Sequence, residues 1–420
     1  MASSLANDPE HVARIMLSWH SLDLVSCKNL QTLWAGYGKI CAITARATTD
    51  GAAQHLSELC GVEPRGAGAT FPLILKLISP PCNNGLGQEN EGHLRKMLSY
   101  EVEQTFYSDV VPLLGNGIAV AKCLASTRQM KGQKSEAELG SMLATLMVDL
   151  SPRFPVPGGR RSALNRTQVH SAIEWLARFH GRSWVLLPDS LDRYILPPLQ
   201  EHERRQQYCA GNDAFGRGLW LNGGYTYLST RQREYASLAR DAHSEWSALM
   251  CQPWPGCSMS VAEMAAFFLS PRGRRFESYI HGDVKSENLF TTENGDEVAF
   301  FDFQYVGLGL GVCDLAKLFT CSVPLDMLVE AHEPLPERLA MGDGEKRLLK
   351  QYRDSLLQNR QPDFYEWGTF KRHWETALVD WCRFQASWGF WGNTEWLGAR
   401  VRSIIDNHEW RVWLLQNTST

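Results

Sequence analysis

No apolar run in this sequence approaches the roughly 20 residues that a transmembrane helix needs. The longest candidate, GSMLATLMVDL, is strand-sized, so no membrane partner is expected. The opening MASSLANDPEHVARIML lacks a basic stretch followed by an apolar one, and a secretory signal is not expected there. No C-x-x-C pair occurs. The 11 cysteines stand singly, which argues against a disulfide framework or a zinc site and for reduced thiols in the cytoplasm. A basic stripe is also missing. The formal net charge is −4, so neither nucleic acid nor an anionic membrane surface is an expected partner. Internal repeats and low-complexity tracts are absent.

What is present is an ordinary globular composition, 44% apolar and 21% charged. A chain of 420 residues is too long for one ordinary core and implies about two domains or two large lobes. The first third alternates short apolar runs with turns. LQTLWAGYGKICAITARAT (30–48) reads as two strands around a Gly-containing turn, and TFPLILKLISPP (70–81) as a strong strand closed by prolines. TTDGAAQHLSELCGVEPRGAGA is a surface connection with a short helix, and CNNGLGQENEG (82–92) a loop. HLRKMLSYEVEQTFYSDVVPLL repeats Leu94, Leu98, Val102, Phe106 and Val110 every four residues, which predicts a helix ending before Pro112. GIAVAKCLAS and LGSMLATLMVDL add two strands. SPRFPVPGGRR (151–161) is a Pro/Gly-rich linker, which divides the chain into 1–150 and 151–420. Beyond it TQVHSAIEWLARFHG predicts a helix with a Thr cap and a closing Gly181. Strand-like text returns only around 279–306, and the last 110 or so residues are helical and rich in Trp.

HGDVKSENLF (281–290) places an unusual density of polar groups between apolar, strand-like neighbours. His281, Asp283 and Asn288 form H-x-D-x-x-x-x-N, and Asp302 follows Asn288 by fourteen residues in FFDFQ. TTENGDE between them carries an Asn-Gly hairpin turn. Two strands would then present carboxylate and amide groups at one end. Phosphoryl transfer needs such a set: an Asp to take or orient the attacking hydroxyl, and an Asn and a second Asp to hold Mg²⁺. A plain polar loop closing a hairpin is the alternative.

HGDVKSENLF…FFDFQ resembles the catalytic signature of the protein-kinase-like superfamily. The resemblance implies a two-lobed α+β fold, with an antiparallel sheet and helices in a nucleotide-binding N-terminal lobe and a mainly helical C-terminal lobe for catalysis and substrate. It makes Asp283 the catalytic base, Asn288 and Asp302 the metal ligands and His281 a support for the loop, with ATP and Mg²⁺ as cofactors. It also asks for a Lys on a central strand and a Glu on the next helix. LILKLI supplies Lys76, and of Glu101 and Glu103 the second fits better, because E-x-x-F-Y (Glu103, Phe106, Tyr107) resembles that helix in small-molecule kinases. Gly36 and Gly38 in WAGYGKICAIT would let the backbone approach phosphate; an ordinary hairpin turn explains them as well. By position in the resemblance alone, Asp149 and Leu150 in MVDLSP would meet an adenine.

Two departures separate this chain from protein kinases. Gly282 stands where they carry Arg, and only eleven residues lie between Asp302 and Asp314 of GVCDLAKLF, too few for a peptide-positioning segment. D-L-A soon after D-F-x, with FHGRSW (179–184), resembles the aminoglycoside phosphotransferase, choline kinase and ecdysteroid-kinase-like group. E-x-x-F-Y and V-D-L-S-P look most like its ecdysteroid-kinase-like branch. The resemblance spans roughly residues 30–320 and is specific in the catalytic segment. It implies a kinase acting on a hydroxyl of a small molecule; a nucleotide-binding pseudokinase or a protein kinase are the other readings. Lys285 either touches the γ-phosphate or is a plain surface Lys. Trp374, Trp381 and Trp388, spaced by seven, with Trp391, Glu375, Asp380 and Glu395 nearby, form either helical core or an aromatic, partly acidic pocket for a flat or cationic alcohol.

Overall fold

The computed structural model describes residues 8–80, 90–140, 142–207, 218–222, 225–254, 257–329, 334–358 and 360–418. It divides into two units: residues up to 116 together with 120–153, and residues 117–119 together with 154 onward. Most of the loop expected over 82–92 lies outside the described residues.

The first unit is built on a five-stranded antiparallel sheet: β1 (Leu22–Thr32), β2 (Gly38–Ala47), β3 (Thr70–Ile78), β4 (Cys123–Ser126) and β5 (Leu143–Val148), in the order β1-β2-β3-β5-β4. β3 is central because both faces of TFPLILKLI are usable. Phe71, Leu73, Leu75 and Leu77 alternate onto one face and are buried. There they join Val12 and Met16 of helix α1 (Pro9–Ser18), which starts with Asp8 capping Glu10 and Pro9 in the first turn. Lys76 falls on the opposite face. Helix α2 (Asp50–Cys60) opens on a Thr49 cap and closes on left-handed Gly61. Helix α3 (Glu91–Thr105) does not stop before Pro112. A π-turn over Phe106–Val110 resets the hydrogen-bond pattern, and helix resumes over Val111–Leu114 with Pro112 in its first turn, where a missing N–H costs nothing.

The second unit is mainly helical. Helix α4 (Arg166–Ser183) is capped by Asn165, not Thr167. Asn165 accepts from the Gln168 amide while the Gln168 side chain accepts from Asn165 N–H, a reciprocal cap that Thr167 is placed too late to make. Gly181 lies inside the helix. Two short ladders follow: β7 (Glu277–Ile280) pairs with β10 (Gly307–Leu310), and β8 (Leu289–Thr291) with β9 (Val298–Phe300). The expected linker contributes a two-residue strand, β6 (Val156–Pro157), against β8. Helices α5 (Val312–Cys321), α6 (Asp343–Leu356), α7 (Trp367–Trp388) and α8 (Thr394–Asp406) carry the C-terminal core. Trp374 is fully buried, its indole N–H donates to Glu345 at 2.8 Å, and Glu345 is held by Arg400 at 2.8 Å. Among the described residues no helix is long and apolar enough to cross a membrane.

Candidate active site

The loop 281–288 runs from β7 into β8, so its two ends are fixed by different ladders. Leu289 pairs with Phe300, and Phe301 N–H donates to the Asn288 carbonyl at 3.0 Å. Asn288 and Asp302 therefore stand at the same end of the β8–β9 hairpin, whose turn is the predicted TTENGDE with Gly295 at φ +77°.

His281 is fully buried. Its Nδ1 accepts from Asp283 N–H at 3.2 Å and its Nε2 donates to the Phe301 carbonyl at 2.9 Å, which fixes the tautomer. Burial holds its pKa below the ordinary histidine range. His281 is thus a neutral brace between the backbones of Asp283 and Phe301. Asp314, fully buried on α5, accepts His281 N–H at 2.6 Å and Gly282 N–H at 2.9 Å and is bridged by His180 to Tyr352. Burial raises its pKa, but the His180 bond and the Lys317 charge outweigh it and hold the group below the usual carboxylate range. Lys317 donates to the Gly282 carbonyl at 2.5 Å. Gly282 itself sits at φ +84°, and a Cβ there would lie 2.3 Å from the Tyr305 carbonyl oxygen. No side chain fits, which is why Arg is absent.

Asp283 is 6% exposed. Its Oδ1 accepts from the Tyr225 hydroxyl at 2.8 Å; its Oδ2 accepts from Asn288 Nδ2 at 3.0 Å and pairs with Lys285 Nζ at 3.1 Å. Burial works against its charge, but Lys285 and the Tyr225 hydroxyl prevail and hold its pKa below the ordinary value. Asn288 Nδ2 also donates to the Asp283 carbonyl at 2.8 Å. Lys285 is no plain surface residue: it bridges Asp283 and Glu287, each at 3.1 Å. Burial opposes its charge and the two carboxylates more than restore it, raising its pKa. Asp302 adopts a left-handed backbone (φ 64°, ψ 58°) and accepts from Gln304 Nε2 at 2.7 Å. A strained conformation on a non-glycine residue marks a position the surroundings enforce.

In the first unit, Lys76 Nζ lies 2.5 Å from Glu103 Oε2, both side chains buried. They line a small cavity with Tyr100, Tyr107, Thr145 and Met147.

The ecdysteroid kinase-like family model matches residues 63–336. The chain belongs to the ecdysteroid kinase-like family. Among solved structures it is similar to an amicoumacin kinase in complex with AMP-PNP and Ca²⁺ (12% identity, 99% of this chain and 93% of that one, TM-score 0.35). It is also similar to an ethanolamine kinase of Plasmodium vivax (12%, 93% and 84%, 0.37) and a choline kinase from Streptococcus pneumoniae (11%, 94% and 94%, 0.33). No curated protein matches the chain in sequence.

Gly38 lies in β2, where a Cβ would meet the Leu77 carbonyl oxygen at 2.1 Å; Gly36 is left-handed at φ +72° in the tight 34–36 turn. Sheet packing and turn geometry account for both glycines. Asp149 follows β5 and accepts Ser151 N–H at 2.9 Å, with Leu150 beside it and half-buried. Trp374 and Trp381 are core, Trp388 is 55% exposed and Trp391 half-buried. Two of the three acidic residues are engaged, Asp380 by Arg383 at 2.8 Å and Glu375 by Arg372 at 3.3 Å, and Glu395 is exposed. Arg231 covers the Trp388 ring at 4.5 Å. Sequence reading missed Tyr225 altogether. For His180 and Asp314, a His and an Asp each inside an apolar helical pattern are the signal that the sequence offers.

Among the described residues no group of three His, Cys, Asp or Glu could hold a metal by itself. One amide and one carboxylate, Asn288 and Asp302, do not suit zinc. They do suit Mg²⁺, which keeps waters and takes further ligands from phosphate.

Proposed function

We propose that this chain is an ATP- and Mg²⁺-dependent kinase that transfers the γ-phosphoryl group to a hydroxyl of a small molecule. The carrying observation is the Asp283 carboxylate: buried, held ionised, and fixed in place by Tyr225, Asn288 and Lys285. A buried anion so braced suits a group that receives a hydroxyl proton.

The roles divide as follows. Asp283 orients the acceptor hydroxyl and takes its proton as the new O–P bond forms and the bond to ADP breaks. Asn288 commits its amide nitrogen to Asp283, which leaves its carbonyl oxygen as the ligand atom. Asp302, pinned by Gln304, supplies a carboxylate beside it. The metal, when bound, would neutralise phosphate charge. Lys76 on the central strand, steered by Glu103, would meet the α- and β-phosphates. Lys285 balances the charge of Asp283 and stands within reach of the same chemistry. His281 holds the loop.

A small acceptor is favoured over a peptide because 303–313 is occupied by a short turn, β10 and the start of α5. An uncharged or anionic acceptor is favoured over a cationic one, since Arg231, Arg383 and Arg372 already occupy the Trp388 face, Asp380 and Glu375. The nine described cysteines are unbridged, which fits a reducing compartment such as the cytoplasm. The test is incubation of the purified protein with MgATP and a panel of neutral, acidic and amino alcohols, followed by mass spectrometry. A phosphorylated alcohol supports the reading; no product from any of them, with ATP consumption unchanged by Asp283→Asn, counts against it.

A further inference from the structure

Tyr225 reaches Asp283 from 58 residues upstream and donates to its Oδ1 at 2.8 Å. Both ends of this tyrosine are held. Its ring packs against Tyr305 (centroids 4.7 Å apart) and edge-on against Phe384 of α7 (5.5 Å). Its carbonyl accepts from Arg231 Nε, and Arg231 in turn pairs with Glu234 at 3.1 Å. A residue clamped at ring and backbone delivers its hydroxyl to a fixed point.

The carboxylate it meets has little freedom left. Oδ2 is taken by Asn288 at 3.0 Å and Lys285 at 3.1 Å. Oδ1 accepts from Tyr225 and, as a carboxylate oxygen, has room for one more donor. That second position on Oδ1 is where an acceptor hydroxyl can donate. Without the Tyr225 bond, the carboxylate could rotate Oδ1 away from it.

We infer that Tyr225 is a positioning residue for the phosphoryl acceptor: its hydroxyl fixes the rotation of the Asp283 carboxylate. The inference rests on the kinase reading above for its consequence, but not for its physical content. Burial and the neighbouring Asp283 charge push the Tyr225 phenol well above its ordinary pKa, so it stays a donor.

The test uses the full chain, wild type and Tyr225→Phe, which keeps the ring and removes only the hydroxyl. At one pH near neutrality, the carboxyl-¹³C resonance of Asp283, assigned by its absence in Asp283→Asn, should shift in Tyr225→Phe, and turnover should fall about tenfold, as expected for losing a hydrogen bond to a charged group. KM for MgATP should stay unchanged while kcat falls. An unmoved Asp283 resonance overturns the inference, and so does a loss of turnover that comes only from a raised KM for MgATP. If Tyr225→Phe does not fold, protein carrying 3-fluorotyrosine, a stronger donor, should show the Asp283 resonance shifted; no shift overturns the inference equally. A wild-type protein without turnover would sink the kinase reading while leaving the resonance to decide the role of Tyr225.

Discussion

The Asp314 carboxylate accepts the backbone amide of His281 at 2.6 Å, and its other oxygen accepts the next amide, Gly282, at 2.9 Å. A residue 33 positions downstream thus sets the backbone from which Asp283 projects. The D-L-A motif is therefore a clamp on the catalytic loop as well as a helix start.

Asp314→Ala should be severely destabilising. It leaves two buried N–H groups and the Asp314 side of His180 without a partner, each a cost of about 1–3 kcal/mol. Urea unfolding should show a loss of roughly 3–5 kcal/mol, with turnover lost more than ATP affinity. Full stability in this variant would refute the clamp.

Breaking the Lys76–Glu103 pair from one side should cost more than removing both partners. A lone buried charge is penalised by about 3–5 kcal/mol, whereas an apolar replacement of the whole pair is often neutral. Lys76→Met and Glu103→Leu should each unfold at lower urea than the double variant. All three should lose nucleotide-dependent activity, checked by denaturation and by turnover with MgATP.

Gly282→Ala should destabilise the protein and abolish turnover, because the left-handed backbone and the Tyr305 carbonyl 2.3 Å from the new Cβ both oppose it. The strain alone is worth about 1–3 kcal/mol. Thermal unfolding that leaves the midpoint unshifted would contradict it.

Acidification should weaken the fold through His373. Burial, then the Arg274 charge, push its pKa down to about 3 from the ordinary histidine value of 6.5. Between those values the unfolded chain binds the extra proton, so stability falls as pH falls, by up to about 1.4 kcal/mol per pH unit. Asp314 acts in the same direction at lower pH: its depressed pKa stabilises the fold above the ordinary carboxylate range, and this is lost as pH drops through the folded value. His373→Phe should flatten the pH dependence of the urea midpoint between about pH 6 and 4.

The sequence carried the parts governed by period and spacing. β3 was legible as an apolar, β-rich run closed by two prolines, and the hairpin because of its Asn-Gly turn. Glu103 was legible only through its resemblance to related helices. Local competition hid other details. Thr167 looked like a cap until Asn165 and Gln168 closed their reciprocal pair, and Pro112 looked like a stop until a π-turn put it in a first turn. Tyr225 was illegible because nothing in its own neighbourhood signals a contact 58 residues away. The Trp stripe split for a similar reason: period seven reports one helix face, but not where along that face the neighbours end and solvent begins.

The most direct measurement compares wild type and Asp283→Asn for phosphate transfer from MgATP to the alcohol panel, by mass spectrometry of product. The account predicts a phosphorylated neutral or acidic alcohol with wild type, and about 10²- to 10⁴-fold less with Asp283→Asn at comparable stability. Equal product from both proteins would contradict it.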